Sequence, residues 1–204
     1  MNRTTTTNLL RAGAALLAAA ALSGCAALLV GGAVGTALVV TDRRTAGTQL
    51  EDQNIELKSL TRIRETVGER GHSSATSYNR QVLLTGEVAS EADRTAVEQS
   101  IGRIEGVRSI VNELAVMGVS SMTARSNDTI LTSKVKASFI DAKDLHASAV
   151  KVVTERGVVY LMGRVTEREA ARASDIARGV AGVQKVVRVF EVVSEAELAS
   201  TAPK

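Results

Sequence analysis

Thiol and imidazole, the side chains most suited to nucleophilic attack, zinc ligation and proton transfer near neutral pH, are scarce: one cysteine, Cys25, and two histidines, His72 and His146, in 204 residues. A lone cysteine makes neither an internal disulfide nor a thiolate cluster, and two histidines do not make a His-rich metal site. His72 and His146 stand at comparable points, each ahead of a hairpin, with no cysteine, aspartate or second histidine in register to turn either into a catalytic base. The 22 Asp and Glu residues are plentiful, yet none is spaced to pair with a nucleophile or an evident pocket. With no Trp and only Tyr78, Phe139, Tyr160 and Phe190 as aromatics, base stacking and aromatic cages are poor foundations for a function. The expectation is a protein without catalytic residues, cofactor or bound metal.

Position defines what Cys25 can do. Ahead of it lie a basic start (Arg3, Arg11), an apolar stretch over residues 12–22, and the small residues Ser23 and Gly24, the order of an export signal. Leu22-Ser23-Gly24-Cys25 resembles the lipobox of bacterial lipoproteins, in which the cysteine is diacylated, freed by cleavage and then N-acylated. That resemblance implies a signal peptide over residues 1–24, lipid attachment at Cys25, and covalent acyl chains as a stable membrane anchor. Ala26, rather than Asp, follows the cysteine, which in resembling lipoproteins of Gram-negative cells goes with the outer membrane. An uncleaved membrane anchor is the alternative, because residues 12–40 form an almost unbroken apolar run long enough to span a bilayer. Residues 25–45 read as an apolar, Gly-rich tether, with Thr41-Asp42-Arg43-Arg44 marking the return to water. Cleavage removes Arg3 and Arg11 and no acid, which takes the formal charge from +3 to +1. Overall basicity is therefore no argument for a nucleic-acid partner.

The elements that must carry any remaining site come in two copies. A shift of 77 residues lays Val82-Leu83-Leu84-Thr85-Gly86-Glu87-Val88 over Val159-Tyr160-Leu161-Met162-Gly163-Arg164-Val165, and a shift of 76 lays Ile104-Glu105-Gly106-Val107 over Val180-Ala181-Gly182-Val183. In the second copy Asn127 or Asp128 can cap a helix with Leu131, Val135 and Phe139 on one face. β-rich runs at 150–154 and 158–165 flank the turn Glu155-Arg156-Gly157, a helix spans 167–180, and a last strand covers 183–193. The first copy repeats this with a helix at 49–66, strands at 73–77 and 81–88, a helix at 91–104, and a strand to Met117. The fold class is α+β: two tandem α-β-β-α-β domains, over residues 46–118 and 119–193, each with two helices on one face of a three-stranded mixed sheet. Residues 194–204 read as a flexible tail.

The Gly86-x-Val88 and Gly106-Val107 pair, repeated as Gly163-x-Val165 and Gly182-Val183, resembles the BON domain. Paired BON domains behind a lipobox imply a non-enzymatic lipoprotein on the periplasmic face of the outer membrane. The resemblance further implies a part in envelope integrity and at the division site, with anionic phospholipid such as phosphatidylglycerol bound by the first helix of the second domain.

Charge segregates between the copies in the matching sense. Residues 46–118 carry eight Lys or Arg against eleven Asp or Glu, a net of −3, and residues 119–193 carry twelve against eight, a net of +4. On the helix around 127–140, Ile130, Lys134 and Ala137 point roughly 130° away from the apolar face. An apolar tip between cations suits an anionic interface. The candidate phospholipid-binding residues are Asn127, Asp128, Thr129, Ile130, Leu131, Ser133, Lys134, Lys136 and Ala137. The same pattern also describes an ordinary solvated helix, in which case the paired domains would be an adaptor docking envelope assembly proteins or cell-wall enzymes.

Overall fold

A computed structural model of the protein describes residues 42–201. Cys25, the signal peptide and residues 25–41 of the tether lie outside the described residues. The first domain runs α1 (Ala46–Val67), a 3-10 turn, β1 (His72–Tyr78), β2 (Gln81–Val88), α2 (Glu91–Gly102), and the short strands β3 (Ser109–Asn112) and β4 (Ala115–Val116). The second runs α3 (Met122–Asp141), a 3-10 turn, β5 (Lys151–Glu155), β6 (Val158–Val165), α4 (Glu167–Arg178) and β7 (Lys185–Val192), and the chain continues into α5 (Glu195–Thr201). In both domains the first two strands are antiparallel and the last pairs parallel to the middle one, so each sheet is mixed as expected. The first domain's last strand is broken in two where Leu114 turns into the core.

Local chemistry sets the boundaries. Thr45, Ser90, Ser121 and Thr166 each cap a helix by accepting a backbone N–H, and Thr166 forms a reciprocal capping box with Glu169. Ser121 is the N-cap of α3, not Asn127 or Asp128 as the sequence suggested, because those two already lie inside the helix and Asp128 is engaged elsewhere. The hairpins turn on Asn79 and Arg80 (φ 49° and 64°) and on Arg156 and Gly157 (φ 51° and 72°). One device stabilises both: Asp52 of α1 accepts the amides of Asn79 and Arg80 at 2.8 Å, and Asp128 of α3 accepts those of Arg156 and Gly157 at 2.7 and 2.8 Å. The repeated Gly-x-Val has an equally plain cause. A Cβ on Gly86 would stand 1.9 Å from the His72 carbonyl oxygen, and one on Gly163 would stand 2.3 Å from that of Ala149.

Alternation along the middle strands builds two kinds of core. Val82, Leu84 and Val88 face α1 and α2 with Ile55, Ile63, Val97 and Ile101, while Val159, Leu161 and Val165 face α3 and α4 with Val135, Phe139, Ala170 and Ala173. The residues between them point away from the helices. Tyr78 and Leu83 of the first sheet pack with Tyr160, Met162 and Val189 of the second, so the helix-free sheet faces meet in a core of their own. This explains why β2 and β6 are buried on both faces. Ion pairs border that contact: Lys151 Nζ to Glu56 Oε1 at 2.8 Å, Arg108 Nη2 to Glu191 at 3.1 Å, and Arg156 Nε to Glu87 Oε1 at 3.8 Å. Part of the charge segregation read from sequence is thus consumed between the domains.

Two further expectations are corrected. The tail is helical over Glu195–Thr201, with Ser194 Oγ accepting the Glu197 amide at 3.1 Å and Arg164 paired with Glu197. The arginines expected to mark the return to water are built into the fold. Arg43 donates to both carboxylate oxygens of Glu169 at 2.7 Å and to the Arg164 carbonyl at 2.9 Å. Arg44 bridges Asp42 and Asp52 at 2.7 and 2.8 Å and lies 4.2 Å over the Tyr78 ring. Each domain holds a buried carboxylate on its helix layer, and the segment before α1 supplies both counter-charges.

Candidate functional site

α3 is a helix of 20 residues whose inward face, Asp128, Leu131, Val135 and Phe139, is wholly buried. At 100° per residue, Met122, Ser126, Ile130, Ser133, Ala137 and Ile140 share an arc of about 80° on the opposite side. All six are exposed, with Met122 at 72%, Ile130 at 54% and Ile140 at 73%. The hydroxyls in and beside this stripe turn back on the helix: Ser126 donates to the Met122 carbonyl at 2.9 Å, Thr129 to Arg125 at 3.1 Å, and Ser133 to Thr129 at 3.0 Å. Bonded in this way they present mostly carbon outward, which lowers the cost of leaving water. Lys134 and Lys136 flank the stripe on its two sides, both exposed and neither in an ion pair among the described residues. Beside Ile130 and Lys134 a groove of about 480 Å³ opens between α3 and the second hairpin, with Asn127, Arg156 and Gln184 supplying donors.

The expected site residues divide accordingly. Asn127, Thr129, Ile130, Ser133, Lys134, Lys136 and Ala137 come together on the exposed side of α3. Asp128 and Leu131 border the groove beside Ile130 and Lys134 but lie on the buried side of the helix. Leu131 is part of the inward face, and Asp128 points inward to hold the turn at Arg156 and Gly157. Sequence reasoning missed Met122, because the helix was started too late, and also Ile140, which lay inside the helix as read and continues the stripe to its other end. It also missed Arg156, a turn residue brought to the groove by the hairpin. Met122 lies two turns before Ile130 and Ile140 one turn after Ala137, so extending that spacing in both directions would have found the first two.

His72 acquires partners that no sequence spacing announced. It is the cross-strand partner of Glu87, with Nδ1 3.9 Å from Glu87 Oε2, and Glu155 of the second domain faces the same point. Burial, reinforced by the charges of Glu87 and Asp128, pushes the Glu155 carboxyl up to about 7. Elsewhere the balance runs the other way: the Arg43 hydrogen bonds hold Glu169 down at about 2 against the opposing effect of burial. Among the described residues, no helix is long and apolar enough to cross a membrane.

The family comparison is decided by the repeat itself. The BON domain matches residues 51–118 and again residues 127–194. The chain belongs to the BON-domain family. As a dual-BON protein it is 40% identical over 172 residues to the outer membrane lipoprotein DolP of Haemophilus influenzae, covering 82% of this chain and 88% of that one. It is also 30% identical to a 21 kDa hemolysin of Actinobacillus pleuropneumoniae, over 74% of this chain and 79% of that one. Among solved structures, CdsD, a structural protein of the type III secretion system of Chlamydia trachomatis, overlaps 69% of this chain and 95% of its own at 10% identity. Its TM-score of 0.29 adds nothing to the fold described above. This BON-domain chain is DolP-like, and it is a lipoprotein of the outer membrane.

Proposed function

We propose that this outer-membrane lipoprotein recognises anionic phospholipid through α3 of its second BON domain, without catalysis. The observation that carries the reading is the exposed stripe of Met122, Ile130, Ala137 and Ile140 between two lysines that make no ion pair among the described residues. On an anionic bilayer the isoleucines and methionine enter the headgroup zone while Lys134 and Lys136 meet lipid phosphate. Arg156 and Asn127 in the adjoining groove give a headgroup further donors. Phosphatidylglycerol has the required charge. Cys25, acylated after removal of residues 1–24, supplies residence at the membrane, and α3 supplies recognition. Support of envelope integrity, including at the division site, belongs with this reading.

Flotation with liposomes tests it, using a fragment from Asp42 onward so that no acyl chain contributes. Binding that requires phosphatidylglycerol and weakens with salt is the expected result. Each lysine near an anionic surface contributes about 1 kcal/mol, so Lys134→Glu with Lys136→Glu is expected to weaken binding by at least ~30-fold. Equal binding by that double variant, or by Ile130→Glu, would refute the site.

A second reading has its own observation. α1 exposes Leu50, Leu57 and Leu60 beside a groove of about 440 Å³ that reaches Ser73, Ser74 and Ala75 on edge strand β1. An envelope assembly protein could dock there as an added strand. Loss of a partner in crosslinking on Leu57→Ser, with liposome binding intact, would support the adaptor.

A further inference from the structure

The sheet–sheet contact encloses a polar point within its apolar surroundings. His72 begins β1, Glu87 lies opposite it on β2, and Glu155 ends β5, so two elements of one domain and one of the other converge. One ligand atom from each lies within 4.8 Å of the other two. The Glu87 side chain has no exposure at all, and its Oε1 lacks a hydrogen-bond partner. The His72 Nδ1 is likewise buried without a partner, 3.9 Å from Glu87 Oε2. Ser120 Oγ donates to Glu87 Oε2 at 3.3 Å, and Arg156 Nε stands 3.8 Å from Oε1, too far for a hydrogen bond. Unmade bonds on a fully buried carboxylate are costly, and a buried imidazole nitrogen without a partner beside it calls for an explanation.

We propose that His72, Glu87 and Glu155 form a binding site for a divalent transition-metal ion of the zinc type, bridging the two BON domains. One imidazole with two carboxylates is a donor set for such an ion and a poor one for calcium, which takes six or more oxygens. Zn–N and Zn–O bonds of about 2.0–2.2 Å bring three ligands closer together than they stand here, so the site must tighten on loading. The His72 side chain is 35% exposed, which gives the ion a way in. Three protein ligands leave a fourth position for water. Arg156 is the resident counter-charge. Its side chain is 30% exposed, Nε makes no hydrogen bond and Nη1 donates to the Met117 thioether, a weak acceptor, so it can swing outward when the cation arrives. The ion and the guanidinium therefore compete for Glu87.

The test is a titration of the full chain, purified in detergent and stripped of metal, with Zn²⁺ and separately with Mg²⁺, followed by calorimetry and thermal unfolding. One Zn²⁺ per chain is expected, with a raised Tm and no comparable response to Mg²⁺. His72→Gln and Glu155→Gln should each weaken Zn²⁺ binding by at least ~10-fold, and His146→Gln should leave it unchanged. Arg156→Gln should tighten it, the opposite sign to any variant that merely damages the fold. X-ray absorption on the loaded chain should show one imidazole among oxygen ligands. Absence of saturable Zn²⁺ binding overturns the proposal. So does a site that survives His72→Gln and Glu155→Gln, or an absorption spectrum without imidazole.

Discussion

Replacing Arg43 by alanine separates a structural role from the tether role its sequence position suggests. The guanidinium makes a bidentate contact with Glu169 at 2.7 Å on both oxygens, and Glu169 is only 3% exposed. Holding that carboxyl at about 2 instead of 4.5 corresponds to about 3 kcal/mol of native-state preference for the ionised form, of which Arg43 is the largest source. Removing one partner of a buried pair also leaves the other charge uncompensated, so Arg43→Ala is expected to cost about 2–4 kcal/mol at neutral pH. The folded pKa lies below the unfolded one. The contribution is therefore complete above the unfolded value near 4.5 and is lost as pH falls toward 2. For a pair of values at about 2 and about 4.5, roughly 2 of the ~3 kcal/mol is gone by pH ~3. Urea unfolding of the fragment from Asp42 onward, with and without the substitution, at pH 7 and pH 3 measures both quantities. The gap between the two proteins should narrow in acid. A difference below about 0.5 kcal/mol at pH 7, or one that is the same at both pH values, would refute the assignment.

Asp128→Ala removes the acceptor for two turn amides and should cost about 2–3 kcal/mol in urea unfolding. Gly163→Ala places a methyl 2.3 Å from the Ala149 carbonyl oxygen and should destabilise by more than about 2 kcal/mol, read from Tm of the purified fragment. Leu83→Ala empties part of the sheet–sheet core and should cost about 2–4 kcal/mol while merging no new transition. If the second domain's unfolding is untouched by it, the contact between sheets is not cooperative.

Much of the fold was legible because it depends on short-range signals. The β2 and β6 limits and the starts of α2 and α4 follow from β-rich runs, turn residues and N-caps that act within a few positions. What could not be read depends on partners distant in sequence. Arg43 and Glu169 are 126 residues apart, and Arg43 has no local feature that distinguishes a docked arginine from a solvated one. The start of α3 was misplaced because Asn127 and Asp128 are good caps in isolation, and only the hairpin they reach shows why Asp128 belongs inside the helix. His72, Glu87 and Glu155 escaped for a related reason. Strand alternation puts Glu87 on the helix-free face, and nothing in a single sequence says that this face is covered by a second sheet. The exposed side of α3 was partly legible, since Ile130 and Lys134 stand out from their spacing, but its extent needed the true helix limits.

Two of the described helices expose apolar stripes, and exposure alone does not say which one meets lipid. α1 shows Leu50, Leu57 and Leu60, and α3 shows Met122, Ile130 and Ile140. Charge separates them. Exposed or half-exposed groups on α1 alternate in sign: Glu51, Glu56 and Glu65 with Lys58, Arg62 and Arg64. Between Met122 and Ile140, the charges of α3 outside its buried face are Arg125, Lys134 and Lys136, all positive. An anionic bilayer therefore repels about as much of α1 as it attracts, and on α3 meets three cations against the single exposed acid Asp141 at the helix's last position. Leu57→Ser should leave flotation on phosphatidylglycerol vesicles unchanged, whereas Ile130→Ser should weaken it by losing about 2 kcal/mol of apolar insertion. On vesicles of neutral lipid the two substitutions should be indistinguishable, because the charge difference no longer selects a helix. A larger loss with Leu57→Ser on anionic vesicles would move the membrane contact to the first domain and leave α3 as the surface for a protein.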